Sequence, residues 1–317
     1  MNNSPQDTLV SVVIPVHNRL DELRRAIQSV VAQTHRNWEV LVLDDASEIN
    51  LELVVESFRD ERIRFFRHEK KSNANVMRNH GIRQAKGQVV ALLDSDDEFL
   101  PDHISRKLEE LFASGADAIY GSAFIDDGKR KSYAPSREMV SNLTPLEYLL
   151  TIGFAQTSSW LVLREKAADI MFDESLHRHQ DYDFFIRFAK KYRWMNTWYP
   201  GTIIHWKSGE KRQRHPGSEI DFIQRNTSEL TPRIYADYHL TRLGECIYDH
   251  SPVELVNYYR RESERFIMQL SFLDYCSMYP SRKGFVGFLS NWLAYNFLIL
   301  KRKFFKPAPP IIPRFGH

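Results

Sequence analysis

Val89-Val90-Ala91-Leu92-Leu93 runs without a break into Asp94-Ser95-Asp96-Asp97. Consecutive apolar residues bounded by polar ones fit a strand buried on both faces, the environment of a parallel sheet. In open α/β sheets, ligands bind just outside the carboxyl ends of the strands. Asp94, Asp96 and Asp97 are therefore expected at the edge of a crevice. Carboxylates this close repel one another unless something cationic joins them. A divalent metal held by few carboxylates usually takes substrate phosphates as well. The plainer alternative is an acidic loop in which Asp97 or Asp102 caps the next helix.

The preceding residues repeat one theme. Residues 10–15 form an apolar β-rich run that ends at Pro15, followed by a turn, Val16-His17-Asn18-Arg19. Asp21 is placed to cap a helix whose Leu23, Ala26, Ile27, Val30 and Val31 keep helical spacing. Residues 40–43 are a second buried strand, again leading into carboxylates, Asp44 and Asp45. A helix over 51–58, a strand over 63–66 and a helix over 73–85 that Gly87 ends come before the Val89 strand. Repeated strand–helix alternation argues a doubly wound α/β fold with a mostly parallel sheet.

Beyond Asp97 the pattern loosens. A helix over 101–114, a strand over 116–120, a polar loop or hairpin over 126–137, a helix after Thr144-Pro145 and a strand over 158–163 are expected. A helix opening near His179 runs to Lys191, and residues 203–206 read as a last strand. Lys207, Lys211, Arg212 and Arg214 lie in a glycine-bounded basic loop of a kind suited to a closing lid. From Thr231 the signals are helical only. This divides the chain into an α/β domain, residues 1–228, and a helical region, 229–317. The chain has 317 residues and a formal net charge of +2, so composition gives no nucleic-acid signal. The residues before Val10 lack the charged and apolar regions of a secretory signal. Cys246 and Cys276 have no metal-site spacing and read as structural thiols.

Five pieces in order carry a family resemblance. They are Val12-Val13-Ile14-Pro15-Val16-His17-Asn18, Leu43-Asp44-Asp45-Ala46-Ser47, Arg78-Asn79-His80-Gly81-Ile82, Leu93-Asp94-Ser95-Asp96-Asp97, and Phe172-Asp173-Glu174-Ser175-Leu176 with Gln180-Asp181-Tyr182-Asp183-Phe184. Over residues 10–218 the chain resembles family 2 inverting glycosyltransferases of the GT-A fold, of the type that builds bacterial surface polysaccharides such as O-antigen. The resemblance implies a nucleotide-sugar donor, with Asp45 receiving a nucleobase, typically uracil, through its ring N–H. Pro15, His17 and Asn18 match the turn under the nucleoside, and Arg78 a basic residue near the nucleotide. Asp44 either supports that site or caps the turn after it. Asp94-Ser95-Asp96 matches the DxD motif. Its first carboxylate faces the ribose, and Asp96 is a direct ligand of Mn²⁺ or Mg²⁺. Asp97 either shares the metal or caps the next helix. Asp181 matches the general base that takes the proton of an acceptor hydroxyl, while Asp183 reads as structural.

The sequence departs from the family pattern in two places. Gln180 stands where the residue before the base is usually Glu. A His that closes over the diphosphate and reaches the metal has two candidates, His205 and His215. Gln180 keeps open a non-catalytic sugar-nucleotide-binding homologue or subunit. A nucleotidyltransferase is the other alternative, but the turn after the first strand lacks the glycines its phosphates would want.

The tail bears on location. Phe285, Phe288, Trp292, Tyr295 and Phe297 lie in a helical segment over 284–300, flanked by Lys301-Arg302-Lys303 and Lys306. Such a segment either lies in a membrane interface or docks as a core helix. The interfacial reading suits a cytoplasmic enzyme at the inner face of the membrane that elongates a lipid-linked glycan.

Overall fold

The computed structural model describes residues 4–151, 153–206 and 215–266. The basic stretch 207–214, Cys276 and the aromatic segment 284–300 with its cationic flank lie outside the described residues.

The elements alternate from the start: β1 (Val10–Val16), α1 (Leu20–Val31), β2 (Trp38–Asp45), α2 (Glu52–Glu56), β3 (Ile63–His68), α3 (Ala74–Gln84) and β4 (Val89–Leu92). Then come β5 (Glu98–Phe99), α4 (His103–Ser114), β6 (Ala118–Gly121), β7 (Ala123–Asp126), β8 (Lys131–Ala134), α5 (Pro145–Thr151), β9 (Leu161–Leu163) and α6 (Arg164–Ile170). The last described elements are α7 (Gln180–Ala189), β10 (Trp194–Thr197), β11 (Thr202–His205), α8 (Pro216–Arg225), α9 (Pro232–Tyr248) and α10 (Val253–Glu264).

The main sheet has the order β10-β6-β9-β4-β1-β2-β3. Its pairings are parallel except those of β9, which runs antiparallel to both β4 and β6. The fold is thus the mixed α/β arrangement expected, with a mostly parallel central sheet flanked by helices. Every residue of β1, β2 and β4 is buried, which is why these strands read as unbroken apolar runs. Leu23, Ala26, Ile27 and Val30 of α1 pack into the same core. A smaller sheet, β5-β11-β7-β8, stands apart.

The chain forms two compact units. One comprises residues 4–141 and 153–222; the other, over the described residues, comprises 142–151 and 223–266. In the second unit a reciprocal cap starts α5. The Thr144 N–H donates to Glu147 Oε2 (3.2 Å) and the Glu147 N–H to Thr144 Oγ1 (3.1 Å). Glu147 Oε1 also accepts from the Thr231 N–H (2.6 Å), which fixes the start of α9 against α5.

Some local expectations need correcting. Asp21 does not cap α1; the cap position is Arg19, with no side-chain cap bond, and Asp21 lies in the first turn, where a negative charge favours the helix dipole. Asp102 does stand at the cap of α4, but its carboxylate accepts from Arg106 and Tyr199 instead of a helix N–H. α3 stops at Gln84 with Ala85 as its cap, short of Gly87. The strand expected over 158–163 begins only at Leu161, after a 3₁₀ turn at Thr157–Ser159. The short elements β5, β10 and α6 carry too few apolar residues in register to show a period.

Register sets the exits of β1, β2 and β4 side by side. Val16 lies opposite Asp44 and Val13 opposite Leu92. α3 crosses this edge closely at Gly81. A Cβ there would stand 2.4 Å from Val13 Cγ1 and 3.2 Å from Leu43 Cδ2. Val13 is β-branched and sits in a fully buried strand, so it has little room to yield. Gly81→Ala is expected to destabilise the fold by about 1–3 kcal/mol, the usual cost of overpacking. Urea denaturation reads this as a lower midpoint at unchanged slope.

Candidate active site

The three strand exits enclose a cavity of about 390 Å³. Of the residues expected at a donor site, Pro15, His17, Asp45, Arg78, Asp94, Ser95 and Asp96 line it. Asn18, Asp181, His205 and His215 are not among the lining residues.

At the β2 exit the two carboxylates divide their work. Asp44 is fully buried and accepts from the Ser47 N–H (3.0 Å) and from Arg67 (3.1 Å), so it holds the following turn. Asp45 Oδ1 accepts from both the N–H and the hydroxyl of Ser72 (2.7 Å each), and Asp45 lines the cavity. His17 Nδ1 lies 2.9 Å from the Asp45 carbonyl, and its Nε2 lies 2.8 Å from Lys71 Nζ. Both contacts are satisfied by a neutral ring with its proton on Nδ1, since the lysine can only donate.

Asn18 works one layer away. Its N–H donates to Ser47 Oγ (2.9 Å) and its Oδ1 accepts from the Glu48 N–H (2.8 Å), which locks the β1 and β2 exits together. Asn18 and Ala46 both have left-handed backbones, φ 53° and 56°. Asn tolerates this; Ala at that φ costs about 1–2 kcal/mol, and the cross-strand bonds hold it there.

The acidic turn after β4 is held from several sides. Arg78 Nη2 donates to Asp94 Oδ1 (2.6 Å), and Thr157 Oγ1 donates to Asp94 Oδ2 (3.2 Å). The Asp94 N–H donates to Ser158 Oγ (3.1 Å), whose own proton goes to Asp97 Oδ2 (2.5 Å). Asp97 Oδ1 accepts from the His205 N–H (3.1 Å). Asp97 is 2 % exposed. Burial, then the charges of Asp94 and Asp96, push its carboxyl well above the ordinary range. It is a buried tie between β4, the 157–159 turn and β11, and it caps no helix. Asp96 points the other way, pairs with Arg19, and its carbonyl accepts from Arg25 (2.7 Å).

Arg78 itself is buried, 5 % exposed, where an ordinary surface arginine on α3 would be free in water. Its Nε and Nη1 have no hydrogen-bond partner. Arg78 lines the cavity, while its Nε and Nη1 are enclosed by protein.

Asp181 is half-buried at the start of α7. Its Oδ1 accepts from the Tyr182 N–H (3.0 Å). Desolvation raises its affinity for a proton above that of an ordinary aspartate, opposed by the Tyr182 bond and by the positive charge of Arg78, and reinforced by Asp94. Those charges tie Asp181 electrostatically to the donor pocket. Asp183 pairs with Arg187 within the helix (2.6 Å) and is structural. The His205 ring contacts Glu98 (2.7 Å), and His215 stacks on His177 with centroids 5.9 Å apart. Among the described residues, no three His, Cys, Asp or Glu side chains converge on one metal position.

The sequence reading missed Arg19, Ser72, Thr157 and Ser158. Arg19 closes the turn after β1 and was visible as a cation among site residues. The hydroxyl run Thr157-Ser158-Ser159 before a buried Trp160 was the only sign of the residues that hold the acidic turn.

Residues 11–192 match the family model for glycosyl transferase family 2. The amylovoran biosynthesis glycosyltransferase AmsB of Erwinia amylovora is 31 % identical over 282 residues, 85 % of this chain and 91 % of AmsB. The Escherichia coli UDP-Glc:α-D-GlcNAc-diphosphoundecaprenol β-1,3-glucosyltransferase WfgD is 34 % identical over 116 residues, 37 % of this chain and 46 % of its own length. Among solved structures, S. aureus TarS 1-349 in complex with UDP superposes with a TM-score of 0.62 at 16 % identity, covering 96 % of this chain and 94 % of that one. The chain belongs to glycosyl transferase family 2 and has the GT-A fold of these enzymes. It is a glycosyltransferase, similar over most of its length to an enzyme of polysaccharide biosynthesis.

Ser158 is the hydroxyl that joins the Asp94 backbone to the buried Asp97 carboxyl. Ser158→Ala leaves both without that partner and is expected to cost about 1–3 kcal/mol of stability. Thermal and urea unfolding of the variant measure it.

Proposed function

We propose that the chain is an inverting, divalent-metal-dependent transferase that moves a sugar from a UDP-sugar to a hydroxyl of a lipid-linked glycan. The observation that carries this reading is Arg78, a buried cation that lines a cavity together with Asp45 and Asp96 and whose Nε and Nη1 have no hydrogen-bond partner. One end of that cavity suits a base with a ring N–H and the other a diphosphate. UDP is the ligand of TarS and WfgD is named for a UDP-sugar.

Asp45 accepts the uracil ring N–H, which cytosine lacks. Arg78 and Arg19 take the diphosphate oxygens. Asp96, with Asp94 beside it, supplies the hard oxygen donors that suit Mn²⁺ or Mg²⁺, with further ligands coming from the diphosphate. A metal on Asp96 would displace Arg19, which pairs with that carboxylate, and would free it for the diphosphate. A bound cation would offset the charge that develops on the departing UDP. The acceptor oxygen attacks the anomeric carbon as the bond from that carbon to the diphosphate breaks. UDP leaves with the bonding electrons, and the hydroxyl proton passes to Asp181. One base and in-line attack invert the anomeric centre.

In calorimetry with Mn²⁺ present, UDP should bind more tightly than GDP or CDP. Asp96→Ala should remain folded and lose the metal-dependent part of that affinity. A preference for GDP, or full turnover in excess chelator, would overturn the donor and metal assignments respectively.

Asp181→Asn keeps the shape of the side chain and removes its basicity. Turnover should fall by about 10²-fold or more, with UDP affinity unchanged. The base must be ionised, and its proton affinity is raised, so kcat should climb with pH along a limb centred above the 3.8 of an ordinary aspartate. That limb should be absent from Asp181→Asn.

The acceptor assignment rests on WfgD, whose name gives a diphosphoundecaprenol-linked sugar as acceptor. The location that suits such an acceptor is the cytoplasmic face of the membrane; among the described residues no helix is long and apolar enough to cross a membrane. The intact chain should co-sediment with anionic vesicles at low salt and transfer sugar to a polyprenyl-diphosphate glycan faster than to the same glycan free. Equal rates without vesicle binding would remove both proposals.

A further inference from the structure

The segment leading to Asp181 is not held by its own secondary structure. Residues 171–179 form neither helix nor strand. Backbone polar groups buried in such a segment need partners from elsewhere, and α3 supplies them. Asn79 Nδ2 donates to the Phe172 carbonyl and to Glu174 Oε1, each at 2.9 Å, and Asn79 Oδ1 accepts from the Phe172 N–H at 2.8 Å. Asn75 Nδ2 donates to the carbonyls of Asp173 (2.8 Å) and Leu176 (2.9 Å). Asn73 Nδ2 donates to the Glu174 carbonyl (2.9 Å). Asn75 and Asn79 are at most 2 % exposed.

Asparagine suits this task. Each amide carries a donor and an acceptor on a short stem, so it can mimic a strand partner for a segment that has none. The segment then passes its position on. The Phe172 ring stacks on Phe184 of α7 with centroids 4.4 Å apart, and the Arg78 guanidinium lies 5.4 Å from the Phe172 ring centroid. Arg78 and Asn79 are neighbours on α3. One helical turn therefore grips Asp94 on the donor side and, one residue on, the approach to Asp181.

We infer that Asn73, Asn75 and Asn79 are positioning residues that set the place of Asp181 relative to the donor pocket, an inference that rests on Asp181 being the base. They touch neither substrate. Their effect falls on the alignment of the base with the acceptor proton, where a displacement of about 1 Å can cost 10²-fold in rate.

Asn73→Asp isolates the effect. Asn73 Oδ1 caps α3 by accepting from the N–H groups of Asn75 and Val76. Aspartate keeps that cap but loses the donor to the Glu174 carbonyl. The expected result is a kcat lower by roughly 10-fold, with donor KM, UDP affinity and melting temperature little changed, and a displaced acid limb of the pH profile. Asn79→Ala should lower kcat further. In an Asp181→Asn background, Asn73→Asp should cost no additional turnover. Wild-type kcat in Asn73→Asp, or an equal loss with and without Asp181, overturns the inference. If Asp181→Asn alone keeps full turnover, the base assignment fails, and the positioning role fails with it. If Asp181→Asn is inactive and Asn73→Asp is unimpaired, only the positioning role fails.

Discussion

The buried ion pair between Arg78 and Asp94 is the interaction on which the donor pocket depends. A guanidinium taken out of water is costly unless its charge and donors are used. Here one N–H meets Asp94 at 2.6 Å, while Nε and Nη1 stay unmatched. The guanidinium is thus only partly matched within the protein. The pair forms only because α3 lies close enough to the sheet, and α3 lies that close only because position 81 has no side chain. A glycine three residues along the helix is in this sense a determinant of electrostatics at a strand exit.

The same economy runs through the acidic turn. Three carboxylates in four residues would repel if all faced one space. The fold sends them in different directions. Asp94 turns to Arg78, Asp96 to Arg19, and Asp97 into the interior, where Ser158 and the His205 N–H receive it. What looks in sequence like one cluster is a cavity-lining pair and a structural anchor.

That difference marks how far the sequence could be read. β1, β2 and β4 were legible because burial on both faces imposes unbroken apolar runs, and the strand–helix rhythm then placed the carboxylates at one edge. Pro15, His17, Asp45, Arg78, Asp94, Ser95 and Asp96 meet at that edge in the structure. Local caps were less legible. Asp21 and Asp102 have the right chemistry at about the right place, but capping is decided by a backbone angle that composition does not carry. Least legible were the partners across space. Nothing near Ser158 in the chain shows that its hydroxyl will meet Asp97, 61 residues away, and Asn79, although it stands in one of the family pieces, gave no sign of the segment over 171–179 that it holds.

The reversed direction of β9 has a consequence for where this enzyme's variation can act. In a parallel sheet, the functional edge is addressed by residues that follow strands. β9 runs against β4, so the residues that precede it, Thr157 and Ser158, are the ones delivered to that edge. The support of the acidic turn is therefore written upstream of a strand. Divergence among such enzymes can alter that support by changing the approach to β9, leaving the exits of β1, β2 and β4 as they are.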